Sequence, residues 1–540
     1  MPKNKTLACY EQINMKASDY IAQFLKLSCI DTVFGYQGGN ITHVIDSVAR
    51  LDGLRYIQSY HEQGAAFAAC AYAQVRRSWG VAVASSGPGA TNLITGIANA
   101  FFDSVPVIFL TGNVNSATMR PNSRIRQSAF QEADIVSMVK GITKYAVTIK
   151  QADQLPDTLL RAAREARSGR PGPVLLDLPH DIQRQNVKAP LTQPMGTLVA
   201  MGAIDHGKML LIHDLLATAE RPLVLAGGGL NQVPPGLAQN FLSSLSCPVV
   251  ASLGGLDVLD HYDGKFLGLI GSFGQDAANK ALETCDVLLV LGSRLAERQI
   301  EHRNISAKII HVDIDPYELG RAVKEEISLH VCLETFLRMF QAPQNLTSRS
   351  ACWAADLKQE QEGARELAAD NIGLWFSEFI QPGDILCADV GLNQMGLARH
   401  IKLRSNRLLN SGGLGAMGYA LPAAIGASYA APEHRIWCFA GDGGIQMNIQ
   451  ELQTVAREGL PIKIVVVNNQ SLGMIRKYHE LAFAGRTVGS VQGYSAPDFG
   501  KLAKAYGLEY RQAADPEQLR QSLAALSSRE AFLLEIVCRV

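Results

Sequence analysis

Two polar side chains, Asp442 and Asn469, follow the ends of two apolar stretches, and their oxygens could bind a hard cation. Residues 436–440 are an apolar run of the length typical of a buried strand, and residues 462–467 are a second one. Carboxylate and amide oxygens are ligands that Mg²⁺ accepts, and the ion keeps its remaining positions for phosphate and water. These two residues therefore predict a magnesium site.

The glycines beside Asp442 indicate a diphosphate as the second ligand. Gly441, Gly443 and Gly444 surround the carboxylate, and they allow backbone N–H groups and a helix N-terminus to approach phosphate oxygens. The apolar residues that follow recur three or four positions apart, which predicts one helix: Ile445, Ile449, Leu452 and Val455. Strand, helix and strand form a βαβ unit, which places the two strand ends at the ligand-binding edge of a parallel sheet.

The elements that must position these residues alternate as short strands and helical patterns along the whole chain, which is typical of doubly wound parallel sheets. We predict three α/β domains of this kind, at residues 1–185, 195–345 and 366–540. Polar stretches at about 183–207 and 341–365 predict linkers between them. The predicted strands outside the βαβ unit are 31–36, 81–85, 107–110, 174–178, 223–226, 286–291 and 308–312.

The composition excludes several classes of protein. The 540 residues suffice for about two to four domains. Lys plus Arg and Asp plus Glu are both 50, so the charge does not favour nucleic acid or an anionic membrane as a partner. We find no apolar run of the roughly 18 residues that span a bilayer and no secretory signal. The ten cysteines, without a CxxC pair, are expected to be buried thiols, and we expect a soluble cytoplasmic protein.

Two features of the first domain carry little information when they are taken alone. Glu62 begins an Ala-rich helical stretch, where a glutamate is usually a surface residue that complements the helix dipole. Residues 87–89, Gly-Pro-Gly, lack the third glycine of the dinucleotide-binding fingerprint, so a Rossmann interpretation is weak.

Taken together, however, the segments resemble the acetolactate synthase branch of the thiamine-diphosphate enzymes. The thiamine-diphosphate motif is a GDG followed by NN, and here 24 residues (444–467) separate the two. The other matching stretches lie in family order along nearly the whole chain: GYQGGN (35–40), HEQGAAFAA (61–69), SSGPGATNLITGIANA (85–100), AFQEADIV (129–136), ITKY (142–145), RPGPVLLDLPHDIQ (170–183), HVDIDPYELG (311–320), NSGGLGAMGYALPAAIG (410–426) and NNQSLGMIRKYHE (468–480).

The resemblance implies a pyrimidine-binding, a central and a pyrophosphate-binding domain, with thiamine diphosphate, Mg²⁺ and FAD as cofactors. It also implies a homodimer or homotetramer in which each active site lies between the first and third domains of two subunits. Several relatives keep the central fold with an empty flavin site. The residues that match the family's flavin site are Arg170, Gly227, Gly228, Gly292, Arg294 and Asp313.

The resemblance assigns the catalytic role to Glu62, which would hydrogen-bond the cofactor's pyrimidine ring and promote its imino form. Met417 would be the apolar wedge that bends the cofactor, and the Gly415 carbonyl would orient its amino group. The metal ligands would be Asp442, Asn469 and the Ser471 carbonyl. The other implied cofactor contacts are Asn393, Gly441, Gly443, Gly444 and Met474. The implied substrate contacts are Gly38, Phe130, Gln131, Lys144, Arg298, which would bind a 2-keto acid carboxylate, and Tyr478.

The sequence departs from the family pattern at several positions around the substrate. Gln37 replaces a proline, residues 126–128 (Arg-Gln-Ser) replace G-T/S-D, and residues 392–393 (Leu-Asn) replace Gln-His, although Asn393 can still donate a hydrogen bond. Tyr478 replaces a tryptophan of the acceptor pocket. The sequence stops at Val540, before the family's C-terminal arm. These departures leave the cofactor chemistry intact and question a dedicated role in branched-chain biosynthesis.

Three hypotheses for the function remain open. The first is a carboligase that decarboxylates pyruvate and adds the two-carbon unit to a second carbonyl, with a 2-keto acid or a larger ketone or aldehyde as acceptor. The second is a 2-keto acid decarboxylase or oxidase, which would form no acyloin product. The third is a flavin-binding or non-catalytic relative, whose hallmark would be the loss of Glu62 or of the GDG–NN pair. Neither of these features is lost.

Overall fold

The computed structural model of the chain describes residues 13–122, 124–194, 205–301, 303, 305–343, 353, 355–357, 366–525 and 530–538. The described residues fall into two compact units. The first unit comprises those of 1–198 and 425–431, and the second comprises those of 199–424 and 432–540.

The first unit contains a six-stranded parallel sheet in the order β3-β2-β4-β5-β7-β6 and an antiparallel pair, β1 and β8. Its strands are β1 (Ile13–Lys16), β2 (Thr32–Gly35), β3 (Arg55–Gln58), β4 (Gly80–Ala84), β5 (Val107–Asn113), β6 (Tyr145–Thr148), β7 (Val174–Pro179) and β8 (Asn186–Ala189). Its helices are α1 (Ala17–Leu27), α2 (Thr42–Arg50), α3 (Glu62–Arg76), α4 (Pro88–Asn92), α5 (Ile94–Phe102), α6 (Ile135–Val139), α7 (Leu155–Arg167) and α8 (His180–Arg184).

The second unit contains two six-stranded parallel sheets, in the orders β11-β10-β9-β12-β13-β14 and β16-β15-β17-β18-β20-β19. The strands are β9 (Pro222–Ala226), β10 (Val249–Ala251), β11 (Phe266–Leu269), β12 (Val287–Leu291), β13 (Lys308–Asp313), β14 (Ile327–His330), β15 (Ile385–Ala388), β16 (Arg407–Asn410), β17 (Ile436–Gly441), β18 (Lys463–Asn468), β19 (Glu509–Ala513) and β20 (Phe532–Val537).

The remaining helices follow in chain order and lie on the two sheets of the second unit. Residues 425–430, at the end of one of these helices, are grouped with the first unit. The helices are α9 (His206–Thr218), α10 (Leu237–Ser244), α11 (Asp276–Thr284), α12 (Glu297–Ile300), α13 (Leu333–Met339), α14 (Ile372–Phe376), α15 (Leu392–His400), α16 (Ala420–Ala430), α17 (Asp442–Gln446), α18 (Leu452–Glu458), α19 (Gly473–Ala482), α20 (Phe499–Ala505) and α21 (Pro516–Ala524).

The strands of all three large sheets form the cores because their faces are covered by helices. Every residue of β4, β12 and β18 is buried, which explains why these segments read as continuous apolar runs in place of alternating ones. Three parallel sheets flanked by helices confirm the predicted fold class. The domain boundaries at residues 185, 195, 345 and 366 stay predictions.

Each sheet reverses its strand order beside the strand that comes first in the chain. This strand is β2 in the first sheet, β9 in the second and β15 in the third, and each has neighbours on both sides. Such switch points open a crevice outside the carboxyl ends of the strands, where α/β proteins bind ligands. The glycine-rich turns that the sequence analysis selected follow the strands at these three points.

Two local predictions were wrong. Residues 186–189, expected in a linker, form β8 and pair with β1, a partner about 170 residues away in the chain. The helix expected from Ile445 onwards is interrupted, because α17 ends at Gln446 and α18 begins only at Leu452. Between them the Asn448 side chain donates to the Gly418 carbonyl at 2.8 Å, and this bond to a distant backbone group competes with a continuous helix. The second predicted linker lies largely outside the described residues.

The cysteines only partly follow the prediction that they are buried thiols. Cys70, Cys247, Cys285, Cys387, Cys438 and Cys538 are buried free thiols, as predicted, whereas Cys29 is exposed. None of the described helices combines the length and the apolar character needed to cross a bilayer.

Candidate active site

Asp442 and Asn469 come together because β17 and β18 are parallel neighbours. Gly441 at the end of β17 is in register with Val467, so both strands end at the same edge of the sheet. Asp442 is the first residue of α17 and is 1% exposed. The two strands are therefore parallel neighbours whose ends lie at one edge of the sheet, as predicted.

The Asp442 carboxylate is buried and accepts hydrogen bonds from a tyrosine and from backbone N–H groups. The Tyr494 hydroxyl donates to its Oδ2 at 2.9 Å. Burial raises the pKa of Asp442 to about 6, although this hydroxyl and the Asn469 backbone N–H favour the ionised form. A desolvated carboxylate of this kind suits a cation, which would restore its charged state. Tyr494 was not selected from the sequence, because 52 residues separate it from Asp442.

The turn after β18 presents the amide of Asn469. The Oδ1 atom of Asn469 accepts hydrogen bonds from the backbone N–H of Ser471 at 3.0 Å and from its hydroxyl at 3.1 Å. Gln470 between them has a positive φ of 54°, which bends the chain tightly. Asn469 and Ser471, two of the three predicted metal ligands, therefore lie in one compact turn.

A buried carboxylate on the neighbouring strand β20 accepts a hydrogen bond from Asn468, the residue that precedes this turn. Glu535 of β20 is 6% exposed and accepts a hydrogen bond from the Asn468 amide at 2.6 Å and one from the Tyr510 hydroxyl at 2.5 Å. Sequence reasoning missed this residue. The signal that could have found it is a glutamate inside the apolar strand Phe532–Val537.

The glycines after β17 leave no room for side chains. A Cβ atom added to Gly444 would lie 2.8 Å from Asp389 Oδ2, and one added to Gly443 would lie 2.5 Å from Leu472 Cδ2. At Gly441 the nearest atom would be Asn393 Oδ1, at 3.3 Å. The turn is therefore a backbone surface, as a diphosphate site requires.

Asp389, a further residue that the sequence analysis missed, fixes the segment that carries Met417 and Gly415. Both of its carboxylate oxygens accept the Gly418 N–H at 3.0 Å, and burial raises its pKa to about 7. Gly415 has a φ of +70°, a conformation that glycine adopts without strain. A Cβ on Gly443 would lie 3.5 Å from the Met417 methyl group, so the predicted wedge lies beside the predicted diphosphate turn.

Met474, Tyr478 and Arg298 lie elsewhere in the second unit. Met474 packs against the core at the start of α19, whereas Tyr478 on the same helix is 57% exposed and contacts the Phe483 ring edge-on at 5.6 Å. Arg298 is exposed in α12. Its role in binding a substrate carboxylate stays a prediction.

Glu62 in the first unit is buried, and this argues against the alternative of a surface residue on a helix. It is the first residue of α3 and is 8% exposed. Its Oε2 atom accepts a hydrogen bond from the Asn92 amide at 2.9 Å, and a Cβ on Gly89 would lie 3.1 Å from its Oε1. The carboxylate therefore faces the glycine turn after β4. Asn92 is a functional candidate that sequence reasoning did not identify.

The loops that carry the predicted substrate contacts pack on the same turn of the first unit. A Cβ on Gly38 would lie 2.5 Å from Ser85 Cβ, and one on Gly87 would lie 3.0 Å from the Gln131 carbonyl. The structure thus brings Gly38 and Gln131 to the switch point between β2 and β4. Phe130, the neighbour of Gln131, is 85% exposed.

Glu132 shapes the loop that carries Phe130 and Gln131. Its carboxylate accepts the backbone N–H groups of Arg120 and Ser128, each at 2.7 Å. These bonds hold its pKa below the usual range despite its burial. The Glu132 side chain therefore holds the backbone of this loop in its conformation through hydrogen bonds.

Lys144 and Arg170 contact other parts of the first unit. The Lys144 ammonium donates to the Ser168 carbonyl, and burial lowers its pKa to about 8. Arg170 Nε donates to the Ser104 hydroxyl at 2.8 Å. Their roles toward a substrate and a flavin stay predictions.

Two of the predicted flavin residues, Gly227 and Gly292, meet at the switch point of the central sheet. A Cβ on Gly227 would lie 2.1 Å from the Gly292 carbonyl, so the turns after β9 and β12 touch through their glycines. Asp313 ends the next strand, β13, and is buried. Beside it, the buried Nε2 atom of His311 lies 3.9 Å from Asp313 Oδ2 and has no hydrogen-bond partner among the described residues. Arg294 is partly buried, and a Cβ on Gly228 in the turn after β9 would lie 3.4 Å from the Gly254 carbonyl oxygen.

Comparison with known proteins identifies the family. Residues 15–138, 211–340 and 389–536 match the N-terminal TPP binding, central and C-terminal TPP binding domains of the thiamine pyrophosphate enzymes. The chain is 36% identical to the acetolactate synthase isozyme 2 large subunit of Escherichia coli K12 over 535 residues, covering 97% of this chain and 95% of the relative. It is 34% identical to the acetolactate synthase large subunit of Lactococcus lactis, with coverage of 96% and 92%. For the chloroplastic acetolactate synthase 1 of Nicotiana tabacum the identity is 33%, with coverage of 97% and 81%. The chain therefore belongs to the acetolactate synthase large-subunit family of the thiamine pyrophosphate enzymes.

Proposed function

We propose that the chain is a carboligase that decarboxylates pyruvate and adds the two-carbon unit to a second carbonyl compound. The observation that supports this proposal is a buried carboxylate beside a glycine turn in each of the two units. Glu62 is buried against a glycine turn, and Asp442, Asn469 and Met417 surround the other. A family member without catalysis would have no need of two desolvated carboxylates at these positions.

The residues present fit thiamine diphosphate and Mg²⁺. Asp442, Asn469 and the Ser471 carbonyl would hold the metal, and their oxygen donor set is the one that Mg²⁺ prefers. The backbone of Gly443 and Gly444 would face the diphosphate. When bound, thiamine diphosphate supplies an acidic carbon that adds to a carbonyl and accepts the electron pair released with CO₂.

The chain's own groups then control protons and orientation. Glu62 would hold a proton at the pyrimidine ring nitrogen, and Asn92 fixes the carboxylate for this task. Met417 would press the two rings of the cofactor toward one another, and the Gly415 carbonyl would accept a hydrogen bond from the amino group. Arg298 would pair with the carboxylate of the 2-keto acid.

We also propose that the active enzyme is a homo-oligomer whose sites combine the first domain of one subunit with the third domain of another. Support comes from the substrate-side aromatic residues, since Phe130 is 85% exposed and Tyr478 is 57% exposed in the single chain. Aromatic side chains at functional positions favour burial against a partner or a ligand.

We propose FAD as a bound, non-redox cofactor of the central domain. The two glycine turns lie at the switch point of the sheet, where dinucleotides bind in doubly wound folds. The Asp313 carboxylate and the buried His311 Nε2, which has no hydrogen-bond partner in the described part of the chain, are polar groups on the neighbouring strand β13. We expect flavin stoichiometric with the chain in the supernatant of heat-denatured enzyme, measured by absorbance, and a reduced content in Asp313→Ala. A purified wild type that neither contains nor takes up FAD would contradict this assignment.

The reaction itself is tested with isotopically labelled pyruvate and a panel of carbonyl acceptors, with products identified by mass. We expect acetolactate from pyruvate alone and a mixed product when a better acceptor is present. Release of acetaldehyde or acetyl phosphate without any carbon–carbon bond formation would select the decarboxylase or oxidase hypothesis.

The acceptor preference depends on Tyr478. In the family a tryptophan at this position favours the acceptor with one additional methylene. One methylene in such a pocket changes the transition-state free energy by ~1 to 3 kcal/mol. Tyrosine forms a smaller wall with a hydroxyl group, so we expect a weak preference for 2-ketobutyrate over pyruvate. Tyr478→Trp should increase that preference by ~10-fold or more. The ratio of the two products in a competition assay measures it.

Tyr317→Trp is the matched control for this experiment, because Tyr317 is 87% exposed and lies in the central domain. It should leave the product ratio unchanged. A wild-type enzyme that already prefers the ethyl-substituted product strongly would show that tyrosine suffices for discrimination and that the pocket is not enlarged.

A further inference from the structure

The Tyr494 hydroxyl lies in contact with the glycine turn that begins α17. It donates to Asp442 Oδ2 at 2.9 Å, and a Cβ on Gly443 would lie 3.2 Å from the hydroxyl oxygen. The Gln446 amide donates to this oxygen at 3.4 Å and, more closely, to the Asp442 carbonyl at 2.8 Å. The phenol is thus connected to both ends of α17.

These hydrogen bonds have a fixed direction. A phenol has one proton, and here that proton points to the carboxylate, while the Gln446 amide supplies a proton to the phenol oxygen. Tyr494 therefore engages Oδ2 of Asp442, and the carboxylate also accepts the backbone N–H groups of Asn469 and Gly443.

We propose that Tyr494 is a positioning residue that holds Oδ2 of Asp442 by a hydrogen bond and thereby sets the affinity and selectivity of the metal site. This inference rests on the proposed function of Asp442 as a metal ligand. Mg²⁺ demands octahedral geometry with short bonds, whereas Ca²⁺ accepts two-oxygen binding by a carboxylate. A donor on Oδ2 therefore favours the smaller ion, in the way that outer hydrogen bonds orient metal ligands elsewhere.

The placement of Tyr494 depends on the segment between α19 and α20. Gly493 has a φ of +82°, and the Tyr494 N–H donates to the Val491 carbonyl at 3.1 Å, so the turn directs the ring toward α17. The Leu472 N–H donates to the Ser490 carbonyl at 2.9 Å and attaches the same segment to the start of α19. The metal carboxylate and the acceptor-side helix that bears Tyr478 are thus held by one loop.

The test is Tyr494→Phe, which removes the hydroxyl and keeps the ring. Chelator-treated enzyme containing saturating thiamine diphosphate is titrated with Mg²⁺ and, in parallel, with Ca²⁺ by calorimetry. We expect Mg²⁺ affinity to fall by ~10- to 100-fold, as for other outer-shell partners, and Ca²⁺ affinity to fall less. With saturating Mg²⁺, kcat should return close to the wild-type value.

The ratio of the two affinities is measured on one preparation, so partial unfolding of the variant cancels in it. Tyr506→Phe, a hydroxyl deletion at the end of α20 in the same unit, is the control and should change neither affinity. An unchanged Mg²⁺ to Ca²⁺ ratio in Tyr494→Phe would overturn the proposal. Asp442→Ala distinguishes a failure of this proposal from a failure of the metal assignment. If Asp442→Ala still binds the cofactor, Asp442 is not a metal ligand. If it does not bind the cofactor, an unchanged affinity ratio in Tyr494→Phe contradicts only the role of Tyr494.

Discussion

Replacing Asp442 by alanine is expected to abolish Mg²⁺-dependent binding of thiamine diphosphate and to leave the fold intact. The side chain is the only carboxylate among the three predicted metal ligands, so its loss removes the charge that compensates for dehydration of the ion. The affinity should fall by more than the ~100-fold that the loss of an outer-shell partner costs. Calorimetric titration of the cofactor, with and without Mg²⁺, measures the effect.

The stability of the metal-free variant provides the control for this experiment. Burial raises the pKa of Asp442 to about 6, which means that the ionised carboxylate is unfavourable in the empty site at neutral pH. The apo variant should therefore unfold at a temperature no lower than that of the wild type. Asp515→Ala removes another carboxylate at a helix start of the same unit and should not affect cofactor binding. If Asp442→Ala binds the cofactor as tightly as the wild type, the metal assignment is wrong.

The parts of the fold that sequence could predict are those determined by local periodicity. The strands β17 and β18, their parallel pairing and the position of Asp442 after the first of them follow from apolar runs of strand length and a glycine turn. The functional role and the burial of Glu62 could be predicted only from the family resemblance, because a glutamate at the start of a helix is usually exposed.

The contacts that sequence could not predict join residues far apart in the chain. Tyr494 is 52 residues from Asp442, and Glu535 is 67 residues from Asn468. Each contact depends on where a loop or a neighbouring strand places a side chain, which no local pattern encodes. The break in the helix after Gln446 has the same origin, since Asn448 bonds to Gly418, 30 residues earlier.

The three sheets share one arrangement, in which a glycine lies where two turns at the switch point of the sheet come into contact. At each switch point two turns from neighbouring strands approach within contact distance, as between Gly38 and Ser85, Gly227 and Gly292, or Gly444 and Asp389. A side chain on the glycine would fill the space outside the strand ends, which is where doubly wound sheets bind their ligands. The same architecture thus provides one edge for each of the groups that we propose as ligands, namely the pyrimidine, the dinucleotide and the diphosphate.

Replacing Glu62 by glutamine should slow the exchange of the cofactor's C2 proton by at least ~10²-fold, the usual effect of losing a general acid or base. Glutamine keeps the shape of the side chain and the hydrogen bond to Asn92, but it cannot share a proton with the pyrimidine ring. Exchange is measured by NMR on enzyme saturated with thiamine diphosphate and Mg²⁺, mixed with D₂O and quenched with acid at increasing times. Calorimetry on the same samples establishes that the sites are occupied.

Asn92→Ala is the matched variant for the Glu62 experiment, because it retains the carboxylate and removes only the donor that holds Oε2 at 2.9 Å. Its exchange rate should fall much less than that of Glu62→Gln, since the proton can still be shared by a less well oriented group. Equal losses in the two variants would indicate that orientation of the turn, and not proton transfer, is what Glu62 provides. Wild-type exchange in Glu62→Gln with full occupancy would exclude the activating role altogether and leave the carboxylate as a structural partner of Asn92 and Gly89.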